Sequence, residues 1–158
     1  MSKFSPQIVA VFLAFSLLLA SCGPPPTPRN ATDLTIHTAS DEAVPGWSAM
    51  KFWEANEEQI WIEPTPALTL DDIQSARQTR DEGARSAIAI HFTRDGAEKM
   101  RKFSSEHIGK KAAIVFEGKV TNAPVILSAI GSDAMITNGP GGLSEDQTQR
   151  ILSLINGK

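Results

Sequence analysis

The chain has 158 residues, with 15 Lys and Arg against 18 Asp and Glu and a formal net charge of −3. That length holds one domain with a real hydrophobic core and is too short for two ordinary ones. Cations are scattered among acids, as in Arg94-Asp95 and Glu98-Lys99, which argues against a nucleic-acid binder, since phosphate tracking needs a concentrated basic face.

Residues 1 to 7 carry one cation, Lys3, and no acid, and Ile8 to Leu19 is an uncharged apolar run broken only by Ser16. Ala20 and Ser21 then lead into Cys22, the single cysteine. This is the three-part layout of a secretory signal peptide, with an apolar core too short to be a comfortable membrane span. A lone cysteine closes no intramolecular disulfide, and no second Cys or His stands near it at metal-ligand spacing. Leu19-Ala20-Ser21-Cys22 resembles the lipobox of bacterial lipoproteins, whose cysteine sulfur receives a diacylglycerol and becomes the first mature residue. The resemblance implies a leader over 1–21 and lipid attachment at Cys22. Each acyl methylene buried in a bilayer contributes about 0.8 kcal/mol, so two or three chains hold a protein there durably. Gly23 to Thr32 (GPPPTPRNAT) is Pro-rich and polar, so 22–33 reads as an extended linker that stands a domain over 34–158 off the membrane.

In that domain, Leu34 to Thr38 alternates apolar and polar residues and predicts a first strand. Residues 47–63 hold all three tryptophans. Gln59 to Glu63 predicts a strand bounded by prolines, and what precedes it is ambiguous. Thr69 with Asp71 and Asp72 predicts a short helix start, its acids at the positive end of the helix dipole. Ala87 to Phe92 predicts a strand with Ile88, Ile90 and Phe92 on one core face. Thr93 caps a helix in which Ala97, Met100, Phe103 and His107 recur at helical spacing, and Gly109 ends it. Ala112 to Phe116 is apolar on both faces, as in a central strand. Glu117-Gly118 makes a two-residue turn into Lys119 to Ile126, where Pro124 must end, bulge or edge the ladder. Ala134 to Thr137 predicts a short strand. A last helix begins at Ser144, with Gln147 completing a capping box and Thr148, Ile151, Leu152 and Ile155 forming its buried stripe. The order predicts an α+β fold, a mostly antiparallel sheet with helices packed on one face.

Phe92-Thr93-x-x-Gly96-Ala97-x-x-Met100, then Gly109-Lys110-x-x-Ala113-Ile114-Val115-x-x-Gly118-x-Val120-x-x-Ala123-Pro124-x-Ile126, then Ile136-Thr137-x-Gly139 before an acidic-started helix, resembles the head subdomain in the first periplasmic domain of SecD. The match spans roughly Gln59 to Ile155, and the Gly-Lys to Ala-Pro-x-Ile hairpin is its specific part. The resemblance implies the same α+β head, a module that contacts polypeptide rather than an enzyme, and a polypeptide or Sec-type secretion partner. It supplies no catalytic residue, cofactor or small-molecule ligand. SecD continues into a proton-conducting transmembrane bundle, and none is read after this head, so proton-driven translocation is not expected to carry over. Glu117-Gly118 also departs from the family's usual Asp-Gly turn.

Other features carry less. The Gly-rich loop 138–142 is followed by no Gly-Lys-Ser/Thr and reads as a structural turn rather than a phosphate cradle. His37, His91 and His107 are spaced too far apart for a metal motif, so no metal is expected. Asp71-Asp72 and Asp81-Glu82 read as cap and solvent-facing acids. Trp47, Phe52, Trp53 and Trp61 read as core rings, any exposed fraction of which makes a contact surface for apolar polypeptide or a partner. The expected function is a lipid-anchored, non-enzymatic binding module of the bacterial envelope. The competing readings are an envelope hydrolase on the same fold, signalled by a polar cleft holding His91 or His107 with acids, and a purely structural lipoprotein.

Overall fold

A computed structural model describes residues 34–53, 58–138 and 142–158. The leader, Cys22, the linker and residues 139–141 of the Gly-rich loop lie outside the described residues. Among the described residues nine strands and two α-helices follow one another: β1 (Leu34–Ser40), β2 (Ser48–Lys51), β3 (Gln59–Ile62), β4 (Leu68–Thr69), β5 (Ile73–Arg80), β6 (Ser86–Phe92), α1 (Arg94–Glu106), β7 (Lys111–Phe116), β8 (Lys119–Asn122), β9 (Asp133–Ile136) and α2 (Glu145–Asn156). The α+β class is as expected, with every ladder between these strands antiparallel.

Two sheets replace the single one read from the sequence. The larger runs β2-β3-β1-β7-β8, with β4 also paired to β1, and the smaller runs β5-β6-β9. The ends of the larger sheet meet: Phe52 forms a parallel bridge to Val120, and the Trp53 amide donates to the Val120 carbonyl at 2.9 Å. The sheet therefore curls into a small barrel around Ala39, Ile60, Ile62, Ala113, Val115 and Val120, against which Met50 and Phe52 pack. The other face of β1 and β7 presents Leu34, Ile36, Ile114 and Phe116 to the main core. That core also takes Ile88, Ile90 and Phe92 from β6, Met100 and Phe103 from α1, and Ile151 and Ile155 from α2. Apolar alternation on both faces of β7 is what lets one strand serve two cores.

Local signals are realised where they are strongest. The Thr93 hydroxyl accepts from the Gly96 amide at 3.0 Å and caps α1. At α2 the Ser144 hydroxyl accepts from the Gln147 amide at 3.2 Å while Gln147 Oε1 accepts from the Ser144 amide at 2.9 Å, the capping box. Glu117 and Gly118 both adopt positive φ, 50° and 73°, which a two-residue hairpin turn needs. Thr69 does cap, yet its helix is a single 3-10 turn, Leu70–Asp72. It stops because Ile73 enters β5 and the main core. β8 ends at Asn122, short of the expected Ile126, because Pro124 has no amide to extend the ladder. Chain 124–126 instead returns to the start of β7, with Ala112 donating to the Pro124 carbonyl at 2.9 Å and Ile126 to the Lys110 carbonyl at 2.8 Å.

The turn Leu70–Asp72 and the start of α1 form one joint. Buried Asp72 accepts from the Thr69 amide at 2.9 Å and from Lys99 Nζ at 2.7 Å, and its carbonyl accepts from the Thr93 amide at 2.9 Å. Burial alone raises a carboxyl pKa, but Lys99 and the Thr69 amide and hydroxyl outweigh it and hold Asp72 below its usual range.

His37 supplies a second titrating group. Its Nδ1–H donates to the Glu63 carbonyl at 2.8 Å, which leaves Nε2, 2.9 Å from Thr35 Oγ1, to accept from that hydroxyl in the neutral ring. Burial lowers its pKa below 6.5, only partly opposed by the Glu63 carbonyl and carboxylate. The folded pKa thus lies below the unfolded one, and on acidification the unfolded chain takes the proton first. His37 therefore favours folding above pH 6.5, and that contribution is lost as pH falls through the folded value. Urea midpoints from pH 8 to pH 5 are expected to decline below about 6.5, with part of the decline absent in His37→Gln. An unchanged slope in that variant would remove His37 as the cause.

Candidate functional site

The four aromatic residues singled out in the sequence do not make one groove. Phe52 packs against the barrel interior. Trp53 stacks on Phe116, ring centroids 5.9 Å apart and 16° from parallel, with Lys119 Nζ and the Arg150 guanidinium 5.2 and 5.5 Å from its ring centre. It is a structural ring held by apolar and cation–π contact. Trp61 is half-buried on β3, between Ala49 of β2 and Ser40 of β1. Trp47 precedes β2, tied by its amide to the Val44 carbonyl at 3.0 Å. These two keep partly open rings, but they belong to different parts of the surface.

Trp47 lines an open groove with Val44, Ala39, Val125 and the Gly109–Lys111 segment. Lys111 is ion-paired there to Asp41 at 2.6 Å. Ile126 is buried beneath Val125 and Leu127, which are left 46% and 84% exposed, and Ile108 beside Gly109 is 58% exposed. This alternation follows from the return of 124–126 onto β7, because a strand sends successive side chains to opposite sides. It gathers apolar groups at the Lys111 end of β7. The chain enters β1 at the other end, where Leu34 stands opposite Phe116.

The second open surface is the outer face of the smaller sheet. Ser75, His91 and Asp133 stand in one cross-strand row, and Arg77, Ala89 and Met135 in the next. His91 Nδ1 lies 2.9 Å from Asp133 Oδ1. Hydrogen bonds from Ser132 and then from His91 hold the Asp133 carboxyl below its usual pKa, and this exposed acid stays ionised near neutrality. The row has the residue types of an acyl-transfer triad without its working geometry. Among the described residues Ser75 makes no side-chain hydrogen bond to His91, and the side chains of His91 and Asp133 are 48% and 72% exposed. Nucleophile and base are unconnected, and the shallow surface excludes no water.

The remaining histidine, His107, donates from Nδ1 to the Phe103 carbonyl at 2.8 Å at the end of α1 and packs on the Phe103 ring. No group of three or more His, Cys, Asp or Glu able to hold a metal occurs among the described residues. Asp71 and Asp72 belong to the 3-10 turn, and Asp81 binds Arg85 across a tight turn. No described helix is long and apolar enough to cross a membrane. What sequence reasoning missed is the apolar set Ile108, Val125 and Leu127 and the row across the smaller sheet. The first was signalled only by apolar residues on both sides of Ile126; the second had no signal, because the mostly polar, exposed β5 has almost no alternation to read.

The family described as the SecDF P1 head subdomain matches residues 48–157. Protein translocase subunit SecDF of Thermus thermophilus is 36% identical over 80 residues, covering 51% of this chain and 11% of that protein. Subunit SecD of Aquifex aeolicus is 36% identical over 98 residues, covering 62% of this chain and 19% of that protein. A solved structure of SecDF, described as a membrane component that enhances protein export, superposes with a TM-score of 0.61 at 26% identity, over 78% of this chain and 62% of that one. A crystal structure of SecDF in a super-membrane-facing form gives 0.61 at 28% identity, over 79% of this chain and 19% of that one. The chain thus spans less than a fifth of the length of these two translocase subunits.

Proposed function

The chain belongs to the SecDF P1 head subdomain family, and on that premise we propose that it is a lipid-anchored head of the bacterial envelope that contacts polypeptide or a secretion partner. The family match over 48–157 is the observation that carries the reading, since the curated relatives are protein translocase subunits. Cys22 is the anchor, residues 22–33 the spacer and 34–158 the head. The contact role attaches to the exposed groups Ile108, Val125 and Leu127 and to the part-open rings of Trp47 and Trp61; Phe52 and Trp53 support the fold beneath. The head works without cofactor, metal or nucleic acid. At the Lys111 end of β7 the apolar groups lie away from Leu34, the end that the tether reaches, and so remain open to a partner in the envelope.

Two measurements test this. Cys22→Ser is expected to abolish labelling by a clickable fatty acid; wild-type protein held at the membrane without label would contradict lipid anchoring. Crosslinking in intact envelopes is expected to join the wild-type protein to a secreted chain or a translocase subunit, and recovery of no protein adduct would contradict polypeptide contact.

The Ser75–His91–Asp133 row supplies the residue types, though not the geometry, of one other reading, an envelope hydrolase. Labelling of Ser75 by a fluorophosphonate, lost in His91→Ala, would establish it, and an unlabelled Ser75 dismisses it.

A further inference from the structure

The smaller sheet has two edges, and that of β5 is blocked at Ala76. On β5, Ala76 stands opposite Ile90 with its main-chain amide and carbonyl turned away from β6. Both are occupied by one side chain of α2: Asn156 Oδ1 accepts from the Ala76 amide at 3.1 Å, and Asn156 Nδ2 donates to the Ala76 carbonyl at 3.0 Å. An amide placed this way imitates a neighbouring strand and blocks pairing.

On β9 nothing equivalent occurs. The Phe92 amide donates to the Ser132 carbonyl at 2.9 Å, and the register continues through Ile90↔Ala134 and Ile88↔Ile136. Antiparallel alternation then turns the main-chain groups of Ala134 and Ile136 toward β6, and those of Asp133 and Met135 outward. Among the described residues these four outward groups have no partner. The side chains beside them differ in character, Met135 apolar and 47% exposed, Asp133 ionic and 72% exposed.

We propose that β9 is a docking edge on which an extended polypeptide adds as a fourth, antiparallel strand, setting an apolar side chain against Met135 and a basic one, two residues away, against Asp133. The proposal rests on the reading of this chain as a polypeptide-contacting head and adds a second contact, apart from the Ile108, Val125 and Leu127 surface, with its own mode and sequence preference. Main-chain bonds to Asp133 and Met135 supply affinity for any extended segment, and the side-chain pairs supply selectivity. Charge favours such a segment over a second copy of this chain. Two β9 strands related by a two-fold axis at Ala134 would set each Asp133 against the partner copy's methionine, giving the carboxylate no new cation.

The test uses the full chain and a synthetic nine-residue peptide, Thr-Leu-Thr-Lys-Thr-Leu-Thr-Lys-Thr, with a counterpart in which glutamate replaces lysine. Hydrogen exchange at the Asp133 and Met135 amides is expected to slow about tenfold or more at saturation, as ladder formation requires. The lysine peptide should bind about threefold or more tighter than the glutamate peptide. Met135→Pro removes an outward amide, a change edge strands tolerate, together with the methionine side chain, and should weaken binding about tenfold. Should that variant not fold, Asp133→Lys decides, since it should reverse the preference between the peptides. Binding without protection at Asp133 and Met135 would overturn the edge and leave the polypeptide reading standing. Protection that grows with protein concentration in the absence of peptide would overturn it in favour of a second copy. Equal affinity for the two peptides would overturn the charge preference, and no binding of either, together with no envelope adduct, would take the functional reading down as well.

Discussion

Replacing Gly96 by alanine is expected to destabilise the head by about 3 kcal/mol, a large share of a small domain's stability. The site lies in the first turn of α1, where a Cβ on residue 96 would stand 2.0 Å from the Asp72 carbonyl oxygen and 2.9 Å from its carbon. That obstacle is backbone and cannot swing aside as a flexible side chain would. It is also fixed, because the same carbonyl accepts from the Thr93 amide and the same residue's carboxylate holds Lys99. To admit the methyl group, α1 must move off the 3-10 turn and break that joint. A urea unfolding curve for Gly96→Ala measures the loss. A midpoint near that of the wild type would show that α1 and the turn are not locked together.

The second large effect is expected for Phe116→Ala, about 4 kcal/mol. Phe116 is 2% exposed at the end of β7, pairs with Leu34 and Lys119 in the ladders, and carries the stacked Trp53 ring. Truncation leaves a cavity between the barrel and the main core and removes the platform under Trp53. The Trp53 ring is also held by Lys119 and Arg150, so it should remain near the surface and become wetter rather than collapse inward. A lowered urea midpoint with a red shift in tryptophan emission is the expected pair of readouts. Loss of stability without the shift would mean that Trp53 is not supported by Phe116.

The parts of this architecture legible in the sequence are those set by neighbours. Thr93, Ser144 with Gln147, and Glu117-Gly118 act within three or four residues, and the helices and the hairpin begin where those residues place them. β6 and β7 were legible because burial wrote continuous apolar patterns into them. β5 was not: Ile73–Arg80 buries Ile73 and half-buries Ala76, and most of its remaining residues are polar and exposed, so its alternation is nearly silent. The 3-10 turn at Thr69 carried a true capping signal, but the signal fixes only where a helix starts. How far it runs was decided by the pull of Ile73 into the core.

Barrel closure and the candidate surfaces depend on contacts distant in sequence. Phe52 and Val120 join strands 68 residues apart, and that contact sends Phe52 inward while Trp53 turns to Phe116. This is why a run of aromatic residues that looked like one cluster is divided among interior, end and outer wall. The open β9 edge is visible only by contrast with β5, whose block at Ala76 comes from Asn156, 80 residues further along the chain. By comparison, the likeness to the SecD head was legible in the Gly109 to Ile126 hairpin, because its turn and its Pro124 are local and tightly constrained.

The central claim, that this head meets polypeptide from a lipid anchor, is tested most directly by a photoreactive residue at position 127, where Leu127 is 84% exposed. A control position at Gln149 lies by the groove of Phe116 and Arg150 on the other side of the head. Illumination of cells exporting a tagged secretory protein is predicted to yield an adduct with that protein or with a translocase subunit from position 127, few from 149, and a marked loss of adducts in Cys22→Ser. Equal adducts from both positions, or none from 127 while export proceeds, would contradict the account.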